Sequence, residues 1–144
     1  MKRRNGFFSF SIMTVAVLTL SLALTAATLA WQHFQMARTY EETVRLTYLA
    51  ESALCEGWTQ LRQDPDAFLA GQAIAVPRAE GLTDSGDILS VRCHYQPVGQ
   101  APAGYLQARA AAPEWGVQQT CGLHFTVTAD GQGRTVLNGV QYVN

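Results

Sequence analysis

The sequence predicts an α+β protein in which one long N-terminal helix, a membrane half followed by an amphipathic half, packs on a four-stranded antiparallel sheet. Three observations carry this expectation. Residues Phe7 to Trp31 contain no charged side chain. Apolar residues then recur at spacings of three and four as far as Leu61, the period of a helix with one buried face. From Asp87 onward the period becomes two, as in half-buried strands.

The chain opens on Lys2, Arg3 and Arg4, then Asn5 and Gly6, a basic leader over 1–6. At about 1.5 Å per residue the apolar segment over 7–31 makes a helix of roughly 37 Å, enough to cross a hydrocarbon core. Lys and Arg beside a span stay on the cytoplasmic side, so the leader faces the cytoplasm and the C-terminal part is exported. Trp31 and Phe34 stand at the far end, where aromatic rings sit at headgroup level. The expectation is a single-pass protein of the bacterial cytoplasmic (inner) membrane. Two other readings use the same residues. Thr25, Ala26, Ala27 and Ala30 could satisfy a signal peptidase and release a secreted soluble binding domain, or the span could be a plain envelope anchor that never polymerises.

The segment over 32–63 contains no Pro, and its only Gly is Gly57. Leu46, Leu49, Ala50, Ala53, Leu54, Trp58 and Leu61 form its apolar stripe, with Glu42, Arg45, Glu51, Glu56, Gln60 and Arg62 at other positions. Pro65 disfavours helical geometry at Asp64 and ends the helix there. Joined end to end, residues 7–63 would make a helix of roughly 85 Å.

The connector over 64–86 is rich in Gly, Pro, Ala and Asp, an irregular composition with a brief strand expected at Ala73 to Val76. The sheet domain follows over 87–144. Leu89, Val91, Cys93 and Tyr95 alternate with Ser90, Arg92 and His94, and Cys121, Leu123, Phe125 and Val127 alternate with Gly122, His124, Thr126 and Thr128. Strands around Gly104 to Ala110 and Arg134 to Val143 complete a meander, with a hairpin turn at Asp130-Gly131-Gln132-Gly133.

A short basic leader ending in Gly6, Phe7 directly after it, an apolar helix continuing into an amphipathic one and a small sheet domain together resemble the type IV pilin superfamily, which includes the type II secretion pseudopilins. The stretch Leu49-Ala50-Glu51-Ser52-Ala53-Leu54 is similar to one found in minor pilins. The resemblance implies cleavage between Gly6 and Phe7 by a prepilin peptidase, N-methylation of Phe7, and packing of the apolar helix against other pilin-like subunits in a filament core. Many members carry Glu at the fifth mature position. Here that position is Ser11, and some minor subunits that occupy a filament tip also lack the Glu. The resemblance therefore implies a structural subunit, a minor or tip component of a type IV pilus, competence or type II secretion filament, with Gly6 and Phe7 serving processing and Phe7 and Ser11 serving assembly.

The residues of the span allow such packing. Ser9, Ser11, Thr14, Ala16, Thr19, Ser21, Ala23, Thr25, Ala26 and Ala27 are small, and small residues let helices approach closely in lipid. The hydroxyls could equally bond the preceding carbonyls of their own helix.

Composition bounds the function. The whole chain has a net charge of −1, and without Lys2, Arg3 and Arg4 seven basic side chains face eleven acidic ones. An acidic exported part gives no support to nucleic-acid binding, which leaves a basic footprint. Ser, His and acidic residues are scattered without a nucleophile motif, and there is neither a phosphate-binding glycine loop nor a helical His-x-x-x-His pair. No enzymatic activity and no cofactor are expected. Cys93-His94 and Cys121-x-x-His124 supply the ligand types of a structural zinc, but alternation sends each His to the face opposite its Cys, so no metal is expected. Cys93 and Cys121 both fall on inward faces. A disulfide between them and three buried free thiols, Cys55 included, both fit this pattern. Trp115, in Glu114-Trp115-Gly116, is expected to pack under the sheet edge.

Overall fold

The structure, a computed structural model, describes residues 4–69, 73–96 and 103–143. It is α+β, with one long N-terminal helix followed by an antiparallel sheet. The chain divides into two units between Thr39 and Tyr40.

Helix α1 runs Arg4–Gln63. It starts inside the basic leader rather than at Phe7, because neither Asn5 nor Gly6 interrupts it. At the other end Asp64 is non-helical and Pro65 follows, as expected from the restriction that Pro places on its predecessor. In the first unit every side chain described, from Phe8 onward, is exposed. No residue of its most apolar stretch is buried, and α1 is the one helix among the described residues long and apolar enough to cross a membrane. Near the end of that stretch Trp31 and Phe34 pack with ring centroids 5.9 Å apart, and the Arg38 guanidinium lies 5.8 Å from the Phe34 centroid.

In the second unit the stripe read from sequence is the buried face of the helix. Leu46, Leu49, Ala50, Ala53, Leu54 and Leu61 are buried, and Trp58 is half-buried against Phe125 with centroids 5.6 Å apart. Gly57 belongs to this face for a steric reason. A Cβ there would stand 3.0 Å from Val91 Cγ1 and 3.3 Å from Ile74 Cγ2, so the missing side chain lets the helix approach the sheet.

The connector differs from expectation. Residues 73–76 have no regular structure, and two short helices appear instead, α2 (Pro65–Leu69) and α3 (Pro77–Glu80). Each starts on a proline, whose fixed φ suits a first helical turn and whose missing N–H costs nothing there. Val76 and Ala79 are buried in the core, so this segment forms part of the fold. Its backbone is held from α1: the Glu56 carboxylate accepts from the N–H groups of Arg78 (3.3 Å) and Ala79 (3.1 Å), and the Gln60 amide donates to the Ala75 carbonyl.

Four strands follow, β1 (Ile88–Gln96), β2 (Ala103–Ala112), β3 (Val117–Ala129) and β4 (Thr135–Val143). They pair antiparallel in the order β1-β2-β3-β4, the expected meander. Cys121, Leu123, Phe125 and Val127 are buried, while His94 and His124 point to solvent. The turn after β3 is organised by Asp130, whose Oδ1 accepts from Gln132 N and Arg134 N, both at 2.8 Å. A 3₁₀ turn at Pro113–Trp115 joins β2 to β3, and Trp115, expected to pack under the sheet edge, is 39% exposed there.

Candidate functional site

The first unit presents the surface on which the expected assembly residues lie. Gly6 and Phe7 fall in the first turns of α1, and Ser11 is exposed one helical turn beyond Phe7. Phe8, Ser11, Ile12 and Val15 line one apolar depression, so the Ser11 hydroxyl stands among hydrocarbon. Several of the hydroxyls along the span are turned onto their own helix. Thr14 donates to the Phe10 carbonyl (2.9 Å), Thr19 to Ala16 (2.9 Å), Ser21 to Leu18 (2.8 Å), Thr25 to Ser21 (2.8 Å) and Thr28 to Thr25 (2.8 Å). Bonded this way, they hide their polarity and leave a surface of small, effectively apolar steps between Leu, Val and Phe side chains.

In the second unit the most strongly coupled polar group is Arg45. Its guanidinium donates to both carboxylate oxygens of Asp87 (2.7 and 3.0 Å) and to Glu42 (2.9 Å), and it lies 3.1 Å from an Asp84 oxygen. The Asp87 side chain is only 4% exposed and also accepts from Asp84 N at 2.9 Å. Hydrogen bonding to Arg45 holds the Asp87 carboxyl below the usual carboxylate range, and the same bond raises Arg45 further above its already high value. This cluster ties Asp87, the residue just before β1, to α1 across 42 residues of chain. Sequence reasoning placed Arg45 only as a polar filler on the helix, because nothing local marks its partner.

A depression of about 680 Å³ lies beside α1 and includes Glu51, Cys55, Glu56 and Arg78 in its lining. Both of its carboxylates serve as hydrogen-bond acceptors. Glu56 caps α3 as described above, and Glu51 accepts from the Tyr142 hydroxyl at 3.1 Å. Burial, with neighbouring Cys121 and Glu51, raises Tyr142 above its ordinary value. These groups brace the helix against β4.

The cysteines do not pair. Cys93 lies on β1 and Cys121 on β3, with β2 between them, and all three cysteines are free. Two strand spacings amount to about 10 Å, beyond the reach of a disulfide. Inward alternation puts both on one face, but the meander order sets β2 between them. Cys55 is exposed rather than buried, because its position lies just off the apolar stripe. Burial raises the Cys93 thiol and pushes Cys121 up to about 11, the latter partly offset by a bond to Tyr142. Since the thiolate is the nucleophile, iodoacetamide at pH 8 is expected to alkylate Cys55 first in the folded chain and Cys121 only after denaturation, as read by peptide mass spectrometry. A chain two hydrogen atoms lighter, with Cys93 and Cys121 linked, would contradict this arrangement.

Comparison with protein-family models, with curated proteins and with solved structures finds no match to this chain. The functional reading therefore stands on the residues themselves.

Proposed function

We propose that the protein is a non-enzymatic, pilin-like structural subunit, a minor or tip component of a type IV pilus, competence or type II secretion filament. One observation carries this reading. The helix that supplies the buried stripe Leu46 to Leu61 also supplies an apolar, wholly exposed segment from Phe8 to Met36. An apolar surface of that extent needs lipid or other helices around it. A subunit that leaves the membrane for a filament needs both in turn.

In this mechanism the precursor sits in the cytoplasmic membrane with Lys2, Arg3 and Arg4 inside. A prepilin peptidase cuts after Gly6, Phe7 becomes the methylated N-terminus, and the apolar helix exchanges lipid for the helices of other pilin-like subunits. Small residues with internally bonded hydroxyls favour that exchange, because no polar group must be desolvated when helices meet. The sheet unit is carried on the filament surface.

The test is mass spectrometry of the mature N-terminus, from membranes of a host with a native prepilin peptidase. The expected chain begins at N-methylated Phe7. A chain starting after the Thr25 to Ala30 cluster would make this a secreted domain, and one retaining Met1 to Gly6 would make it a plain anchor. Either result overturns the filament reading.

A further inference from the structure

The net negative charge of the soluble part is the sum of two separated surfaces. None of the four strands contains a carboxylate, and the acidic side chains lie on α1, the connector and the turns. The outward face of the sheet, opposite the helix, exposes Arg92, His94, Arg109 and His124. The Arg109 guanidinium donates to Gln118 Oε1, a neutral acceptor on the next strand. Asp130, at one end of the sheet, is engaged by backbone N–H groups of its own turn.

An aromatic ring sits among these side chains. The register aligns His94 with Tyr105, Tyr105 with His124 and His124 with Gln141, one row directly across the sheet. Tyr105 lies over Gly122, so closely that any Cβ at that position would collide with its phenol. The ring is thus seated against the backbone of β3, and Tyr105 as a whole is half-buried. Its centroid is 4.6 Å from that of His124, with an interplanar angle of 37°. By register Arg92 stands opposite Gln107, and Arg109 is four residues from Tyr105 on β2. At about 3.3 Å per residue these cations lie roughly 7 and 13 Å along the strands from the ring.

We infer that this face binds single-stranded nucleic acid, an unpaired base stacking on Tyr105 and His124 and the backbone phosphates meeting Arg92 and Arg109. A ligand for this face must offer both a planar ring and negative charge, and each nucleotide offers both. Splayed bases stack on aromatic side chains without sequence preference, whereas a duplex keeps its base faces covered. A neutral glycan would find no carboxylate here to accept its hydroxyls, and a purely anionic polymer would make no use of the seated ring. The inference is independent of the filament reading, since it concerns the sheet unit alone.

The test is fluorescence anisotropy of labelled oligothymidylate with the full chain in a neutral detergent, alongside a DNA duplex and dextran sulfate. The oligothymidylate is expected to bind more tightly than either. Tyr105→Ala and His124→Ala should each weaken binding about tenfold. The Arg92→Gln/Arg109→Gln pair should reduce the slope of log affinity against log salt by roughly 1.4. His124 is exposed, so His124→Ala tests stacking even if Tyr105→Ala fails to fold. No binding, an unchanged affinity in His124→Ala, or dextran sulfate binding as tightly as oligothymidylate would each overturn the inference, the last marking a charge-only surface for acidic polysaccharide.

Discussion

Gly104→Ala is expected to destabilise the second unit by about 3 kcal/mol, the range reached when a core is overpacked or a large core side chain is displaced. Gly104 pairs with Phe125 across β2 and β3, and the Phe125 ring folds back over the glycine so that a Cβ would fall inside it. The ring cannot swing away cheaply. Phe125 is 1% exposed and packs against Trp58, which joins it to the helix. Urea unfolding followed by tryptophan fluorescence measures the loss. Adding Phe125→Leu should restore part of it, because the two sites touch and their effects are not additive. Gly131→Ala serves as the control. A Cβ there meets nothing within 4 Å, so its effect should stay within about 0.5 kcal/mol. Equal midpoints for Gly104→Ala and Gly131→Ala would show that the ring is not seated on Gly104.

Arg45→Met is expected to cost about 3 to 5 kcal/mol, the range found when one partner of a buried ion pair is removed. The variant keeps most of the methylene stem but leaves Asp87, 4% exposed, beside Asp84 and Glu42 with no cation. Arg45 itself is partly exposed, which places the effect toward the lower end of that range. The pH dependence follows from the direction of the Asp87 shift. A carboxyl held below its unfolded value contributes stability above about pH 4, and that contribution is lost as pH falls through the folded value. The gap between wild type and Arg45→Met should therefore be full near neutrality and close on acidification below pH 4. A gap that stays constant through that window would assign the loss to packing of the arginine stem instead of its charge.

Local pattern made much of the fold legible. The stripe Leu46, Leu49, Ala50, Ala53, Leu54 and Leu61 sits where its spacing put it, because one face of a helix must be buried once it lies on a sheet. The alternation at Cys121 to Val127 assigned inward and outward faces correctly, since the strand period leaves no other choice. The turn at Asp130-Gly131-Gln132-Gly133 was readable from its residue types. At the connector Pro65 was read as a breaker alone, whereas it opens a short helix, as Pro77 does further on. Residues 73–76 were read as a strand from their apolar composition, and Val76 is buried, but as part of a loop held by Glu56 and Gln60.

The site divides along the same line. Phe7, Ser11 and the apolar segment around them are contiguous in the chain, so the membrane-length surface could be read directly from the residues. The seated Tyr105 and the Arg45 cluster could not. Each depends on which strands are neighbours and in what register, and on contacts between residues far apart in the chain. Periodicity reports only which face a side chain takes. The sequence by itself determined a helix with an exposed apolar half and a buried amphipathic stripe, followed by a meander of half-buried strands, because these follow from backbone period and hydrophobicity. Only the tertiary structure decided that Arg45 would meet Asp87, that two aromatic rings would rest on Gly104 and Gly122, and that Arg92 and Arg109 would flank the Tyr105 row on the outward face of the sheet. Those outcomes depend on strand order and register, which no single segment encodes.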